Sequence, residues 1–114
     1  MNGSTMTGII QVTTTVSDQA DAERIAASLV AQRLAACVQI SGPIESTYRS
    51  KGQIETSQEW VCAIKTSEAL FSNVERAIRD LHSNDEPEIM AMSINAASAG
   101  YREWVLASVK VSDE

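Results

Sequence analysis

The sequence predicts an α+β fold, in which two helices cover one face of an antiparallel four-stranded sheet and a short helix closes the chain. Segments rich in β-branched residues alternate with two segments whose apolar residues recur every three to four positions. Read in order, these patterns give β-α-β-β-α-β followed by a C-terminal segment. The chain of 114 residues has no internal repeat and no linker-like stretch, so one domain is expected.

The first half of the chain supplies a strand, a helix and a long strand. Residues Gly8 to Val16 are rich in β-branched side chains, which strands favour. Residues 37–49 form a second strand, which Gly42 and Pro43 should interrupt with a bulge. Between the strands, residues 17–36 begin with capping side chains and place an apolar stripe on one helical face. The residues of that stripe are Ala22, Ile25, Ala26, Leu29 and Val30.

The second half repeats this pattern. Ser50 to Gly52 is a plausible hairpin turn, and residues 53–65 return as a third strand. Ser67 is expected to cap a helix that continues to Leu81, and residues 88–94 form a fourth strand before a short closing helix. This order is the split β-α-β arrangement of ferredoxin-like domains.

The central hairpin is too long for the helices that should cover it. A strand of about 13 residues extends about 43 Å, whereas a helix of about 15 residues covers about 22 Å. The hairpin should therefore protrude and leave unpaired edges beside Ile44, Tyr48, Ile54 and Trp60. Pairing with neighbouring subunits in a closed ring would cover these surfaces.

Charge and composition exclude several classes of partner. The net charge of −6 disfavours nucleic acid and anionic membrane surfaces, and no apolar segment is long enough to span a bilayer. Residues 1–8 are small and polar, without the features of a secretory signal, and are expected to form a frayed tail before one domain at residues 9–111. These features, with two cysteines suited to free thiols, favour the cytoplasm.

Several short segments resemble, in order and spacing, the CutA family of divalent-cation tolerance proteins. The resemblance runs from about Ile10 to Leu106 and rests on a set of motifs rather than on one of them. The motifs are LAACVQI at 34–40, TYRSKGQIE at 47–55, IKT at 64–66, YREW at 101–104 and the loop RDLHSNDEPEI at 79–89.

The sequence departs from the family pattern mainly in the loop at 79–89. His82, Pro87 and Glu88 fit the family's loop signature, whereas Asn84 stands where the family has a tyrosine. An asparagine cannot supply the flat apolar wall of a tyrosine, so ligand binding at this loop is expected to differ. Further departures are Gln39, Ser50, Gln53, Ser83 and Glu86.

The resemblance implies a homotrimer similar to the PII signalling proteins, with long hairpins wrapping adjacent subunits and clefts between them. It implies a role in tolerance of divalent metals, copper especially, and no catalysed reaction. One alternative is a PII-like module that binds a small ligand in these clefts and transmits its state to a protein partner. Another is a cysteine-dependent hydrolase or redox enzyme that uses Cys37.

The candidate metal ligands are His82, Cys37 and Glu88. An imidazole suits Cu(II) or Zn(II), a carboxylate can add an oxygen ligand, and a thiolate prefers Cu(I). Two of them have a plainer interpretation: His82 in the last turn of the helix would complement the macrodipole, and Cys37 after a helix is more often a core residue.

The remaining candidates are polar and aromatic residues that the resemblance brings to an intersubunit cleft: Glu55, Glu59, Lys65, Asn84, Asp85, Tyr101 and Trp104. For the charged ones, a solvated face or intersubunit ion pairs is the commoner role. Met90, Met92 and Cys62 are assigned to the core. The sequence lacks a serine nucleophile elbow and a glycine-rich phosphate loop, so an enzyme is not expected.

Overall fold

The computed structural model describes residues 6–111, which form four strands and three helices. The strands are β1 (Ile9–Val16), β2 (Cys37–Ser50), β3 (Gln53–Ser67) and β4 (Ile89–Ser93). The helices are α1 (Gln19–Ala31), α2 (Phe71–Leu81) and α3 (Ala99–Ser108). The sheet has the order β2-β3-β1-β4 with antiparallel neighbours, as expected for the split β-α-β arrangement.

The core lies between α1, α2 and one face of the sheet. Side chains alternate along a strand, so Val12 and Val16 of β1 face the same side as Cys62 and Ile64 of β3. The helices contribute the fully buried side chains Ala22, Ile25, Leu29, Val74 and Ile78. We call this side of the sheet the core face.

The boundaries of α1 follow from local hydrogen bonds. The Asp18 carboxylate accepts from the backbone N–H of Ala20, which satisfies a free donor at the helix start. At the end, Leu34 N–H donates to Leu29 O while Arg33 adopts φ of 59°, which is a Schellman motif without glycine. The helix thus ends at Ala31, earlier than expected, and Val30 is 45% exposed instead of lying on the apolar stripe.

The second helix begins differently from the prediction. Ser67 makes no capping hydrogen bond with its side chain, and a single 3₁₀ turn at Glu68–Leu70 precedes α2. The tighter turn brings Leu70 into the core, where it is fully buried. The predicted serine cap is therefore wrong, although the helix itself is confirmed.

The third helix packs on the opposite face of the sheet. Ile9 and Val105 are fully buried but do not belong to the core between α1 and α2. Since Ile9 points away from the core face and α3 contacts β1 and β3, α3 covers this end of the second face. We call this second side the open face, because α3 covers only part of it.

The N-terminal residues that the structure describes are part of the fold. Thr7 is buried, and its hydroxyl donates to Ile94 O at 2.6 Å. Arg102 of α3 donates to Thr7 O at 2.8 Å. The expected frayed tail therefore does not include Thr7, and its first five residues lie outside the described part of the chain.

The predicted core position of the two methionines of β4 is wrong. Pairing of Ile89 with Thr14 places Ile89 on the core face, so Met90 and Met92 point to the open face. Each of them is 53% exposed. The alternation of the edge strand thus brings two large apolar side chains to the surface.

The central hairpin extends beyond the rest of the sheet. β1 pairs with β3 only from Trp60 to Ser67, so residues 53–59 of β3 have β2 as their single strand neighbour. The longest dimension of the molecule is 44 Å, as expected from the strand lengths. Lys51 and Gly52 form the two-residue turn, both with positive φ.

Candidate functional site

A glycine and a proline bend the hairpin at the point where it leaves the sheet. The β2–β3 register changes from Ser41 opposite Val61 to Ile44 opposite Glu59, so Gly42 and Pro43 form the predicted bulge. Gly42 has φ of 145°, and a Cβ atom there would lie 2.9 Å from Trp60 Cε3. Only glycine allows the strands to approach so closely here.

Beyond the bulge, an open cleft of about 460 Å³ forms between three parts of the chain. β1 contributes Thr15, the residue before its last one, both strands of the hairpin contribute residues, and the loop between α2 and β4 lines one side. The lining residues are Thr15, Ser46, Thr47, Tyr48, Glu59, Asn84 and Glu88. The structure thus brings together Glu59, Asn84 and Glu88 from the candidates that the sequence indicated.

Two side chains of the cleft are held in place by the hairpin. The Ser46 hydroxyl donates to Glu59 Oε1 at 2.7 Å, and the pair is partly buried. The Tyr48 hydroxyl lies 3.2 Å from Ser57 Oγ. These contacts fix a carboxylate and an aromatic ring at the cleft without help from another element.

The only histidine positions the loop at the cleft and uses both ring nitrogens for this. His82 is the first residue after α2, with extended φ and ψ, rather than part of the last helical turn as predicted. Its Nε2 lies 2.7 Å from Thr15 O, and its Nδ1 accepts from the Asn84 backbone N–H at 3.1 Å. A neutral ring with the proton on Nε2 satisfies both bonds.

Both bonds limit what His82 can do as a metal ligand. A metal needs a free nitrogen lone pair, which Nδ1 already gives to Asn84. Ligation at Nδ1 therefore requires the loop to release the Asn84 N–H, and ligation at Nε2 requires the bond to Thr15 O to break. Each exchange loses a protein hydrogen bond, which lowers the affinity for a metal.

Cys37 and Lys65 lie toward the other end of the sheet. Cys37 is opposite Lys65, whereas Thr15, which contacts His82, is opposite Val61. Four residues along β3 correspond to about 13 Å, so Cys37 does not share the cleft with His82. Lys65 donates to Gln39 Oε1 at 3.0 Å instead.

The other predicted cleft residues also lie outside the lining of the cleft. Glu55 is opposite Tyr48 near the hairpin tip, and Asp85 is an exposed loop residue. Tyr101 and Trp104 form a pair on α3 with ring centroids 5.6 Å apart. Within one protomer, none of these four residues lines the cleft.

The hydroxyl-bearing residues of the cleft do not stand out in the sequence as site residues. Thr15, Ser46 and Thr47 looked like ordinary strand positions, and Tyr48 was noted only as an exposed apolar residue. A signal was present, since Ser46 and Thr47 continue the polar run that begins after the bulge. Their convergence on one cleft depends on the bend, which spacing alone does not give.

One protomer does not contain a preformed metal site in its described residues. Between residues 6 and 111, no three His, Cys, Asp or Glu side chains are close enough together to hold an ion. Cys62 is fully buried, and burial raises the pKa of its thiol from the ordinary 9.0 to about 11. Burial therefore disfavours the thiolate form that a metal ligand requires.

Two carboxylates form salt bridges with Arg79, the last arginine of α2. Arg79 contacts Glu86 at 3.3 Å and Glu75 at 3.2 Å, and hydrogen bonds to these two carboxylates raise its pKa. Glu86 is 85% exposed, so the bridge that it makes across the loop is weak.

None of the helices in the described range 6–111 is long and apolar enough to cross a membrane.

The chain is similar to proteins from plants and bacteria. A chloroplastic rice protein called CutA 1 is 35% identical over 109 residues, which cover 96% of this chain and 62% of the relative. The divalent-cation tolerance protein CutA of Thermus thermophilus is 35% identical over 91 residues, covering 80% of this chain and 88% of the relative. The chain thus spans less than two thirds of the rice protein.

The fold is also that of solved relatives. The crystal structure of CutA1 from Oryza sativa superposes with a TM-score of 0.89 at 35% identity, covering 91% of this chain and 95% of that one. The family model of the CutA1 divalent ion tolerance protein matches residues 10–108. From the matched length and the shared fold, the chain belongs to the CutA1 divalent ion tolerance protein family.

Proposed function

We propose that the chain contributes to tolerance of divalent metals as a homotrimer without catalytic activity, and that copper is the metal it binds. Family membership supports the metal role. The observation that carries the proposal is the acidic cleft, which is lined by Glu59 of the hairpin and by Glu88 of the loop that follows the only histidine. Carboxylates at one cleft attract cations, and His82 adds the nitrogen donor that copper prefers.

Surfaces that remain uncovered in one protomer support the trimer. Among the described residues, 53–59 of β3 pair with β2 alone, and Ile54 on this segment is 69% exposed. The open face adds the exposed methionines of β4, and α3 adds Trp104, which is 48% exposed. Apolar surface on this scale is covered in stable assemblies, and a closed ring covers the same surface on every subunit.

Assembly would also decide which donors a copper ion meets. His82, Cys37 and Glu88 are not grouped within one protomer, so a site that uses them needs donors from more than one subunit. Because His82 must exchange a protein hydrogen bond for the metal, we expect weak binding. The cytoplasm remains the proposed compartment.

Isothermal titration tests the metal role. Cu(II) and Zn(II) are titrated into the wild type and into His82→Ala, Cys37→Ser and Glu88→Gln variants, with Glu23→Gln on the exposed side of α1 as a matched control. We expect binding to weaken in the first three variants and to remain in the control. Equal binding by wild type and His82→Ala would show that the histidine is not a ligand.

The size of the cleft favours a second candidate function, a PII-like module that binds a small organic ligand and passes its state to a protein partner. A volume of about 460 Å³ is larger than one ion requires. Thermal-shift measurements with small organic compounds distinguish the two functions, because a protein that binds only metals should not be stabilised by them.

A further inference from the structure

The charges that line the cleft are all negative at neutral pH. Glu59 and Glu88 are its only ionisable acids, and no lysine, arginine or histidine lines it within residues 6–111. The whole chain also carries a net charge of −6. A phosphate or another carboxylate would therefore be repelled, whereas a cation would be attracted.

The volume of the cleft suits an organic molecule better than a hydrated ion. An ion with six waters occupies about 180 Å³ at about 30 Å³ for each water. The cleft holds about 460 Å³. A hydrated divalent ion would leave more than half of it to bulk water, and most of the lining would then have no contact with the ligand.

An aromatic ring stands at the cleft with its hydroxyl engaged. Tyr48 lines the cleft, and its contact with Ser57 at 3.2 Å holds the phenol at the hairpin. The face of such a ring attracts an ammonium group, and the attraction grows when water is displaced. A ring beside carboxylates is the combination that recognises organic ammonium ions.

The remaining lining groups can bind hydroxyls. Thr15 and Asn84 offer a hydroxyl and an amide group, which both donate and accept, whereas the Thr47 hydroxyl lies 3.2 Å from Thr56 Oγ1. Glu59 keeps Oε2 without a partner in the described chain, because Ser46 occupies only Oε1. A ligand with an ammonium group at one end and hydroxyls at the other would satisfy both kinds of group.

We propose that the cleft lined by Glu59, Glu88, Tyr48 and Asn84 binds a small organic cation, an amine or quaternary ammonium that also carries hydroxyl groups. This inference rests on the second candidate function, the small-ligand module, and it specifies the chemical class of that ligand. It excludes nucleotides and other phosphate esters from the cleft.

Two probes of nearly the same shape test the charge requirement. Choline carries the quaternary ammonium, and 3,3-dimethyl-1-butanol replaces its nitrogen by carbon. We expect isothermal titration to give choline binding at millimolar or lower concentrations and no detectable binding of the neutral alcohol, inorganic phosphate or ATP. Equal binding of choline and the alcohol, no choline binding at these concentrations, or ATP binding that Glu59→Gln strengthens, would overturn the proposal.

Variants locate the binding. Glu59→Gln and Glu88→Gln should each weaken choline binding about tenfold, as expected for loss of one charged contact, while the exposed control Glu23→Gln should not change it. Tyr48→Phe should retain binding and Tyr48→Leu should lose it. If the Gln variants bind choline as the wild type does, the cleft is not the site.

The same samples separate this inference from the metal function. Each variant is measured by light scattering and titrated with Cu(II) in parallel. A protein that binds Cu(II) through His82 but does not bind choline would contradict the organic-cation inference and leave the metal function intact. A protein that binds choline in the cleft but no metal would support the organic-cation inference and contradict the metal function.

Discussion

Replacing Gly42 by alanine should destabilise the hairpin base by about 3 kcal/mol. The φ of 145° lies in a region that costs a side chain about 1–3 kcal/mol. The added Cβ would also lie 2.9 Å from Trp60 Cε3 and 3.0 Å from the backbone oxygen of Glu59, so strands β2 and β3 must move. Overpacking of this kind costs about 1–3 kcal/mol.

Alanine substitutions at two other glycines separate the cost of backbone strain from the cost of steric overlap. Gly52 has φ of 78° and open space around its Cβ position, so Gly52→Ala should cost only the strain, about 1 kcal/mol. Gly100 in α3 has open space and ordinary φ, so Gly100→Ala should be neutral or stabilise by up to about 1 kcal/mol. Urea unfolding at one subunit concentration, followed by circular dichroism, gives the three free energies. A Gly42→Ala cost no larger than that of Gly52→Ala would refute the reasoning.

Three further predictions concern the core, pH and helix capping. Thr14→Val should stabilise the protein by about 1 kcal/mol in urea unfolding, because the buried Thr14 hydroxyl has no hydrogen-bond partner in the described structure; an unchanged or lower stability would indicate a partner. Burial raises the pKa of Cys62 from 9.0 to about 11, so the stability that the protonated thiol contributes is fully present below pH 9 and is lost as the pH rises towards 11. Over this range the free energy of unfolding of the wild type should fall by on the order of 2 kcal/mol relative to that of Cys62→Ala. Identical pH profiles of the two proteins would contradict this. Asp18→Ala should cost about 1 kcal/mol through the lost bond to Ala20 N–H, whereas Asp18→Ser should keep most of it, and equal losses in both variants would exclude capping as the cause.

Local sequence patterns predicted most of the fold. The β-branched runs gave the strands, and the Gly42–Pro43 pair correctly marked the bulge, because both residues have backbone requirements that show in the sequence. The boundaries were harder to predict. Arg33 ends α1 in a conformation usual for glycine, and no helix-stop residue indicates this end.

The faces of the edge strand were predicted poorly for a different reason. Met90 and Met92 are apolar, and an apolar residue on a strand is usually assigned to the core. In this sheet the core face of β4 is taken by Ile89, so the methionines point to the open face. Their exposure follows from the pairing register of β4 with β1, which a single sequence does not reveal.

The candidate site was predicted in part. Glu59, Asn84 and Glu88 come from the hairpin and the loop before β4, and the structure brings them to one cleft. Cys37 was placed near them because its position along a long strand was unknown before the register was known. The two hydrogen bonds of His82 likewise depend on the contact between the α2–β4 loop and β1, which is remote in sequence.

The mass of the protein in solution tests the central claim most directly, because the proposed trimer would cover the long hairpin and the open face and would bring copper donors from several subunits together. Light scattering at submicromolar concentration should give about 37 kDa, three times the 12.3 kDa of one chain. A particle of 12.3 kDa at that concentration would contradict the account, since the hairpin and the open face would then remain uncovered in the native protein.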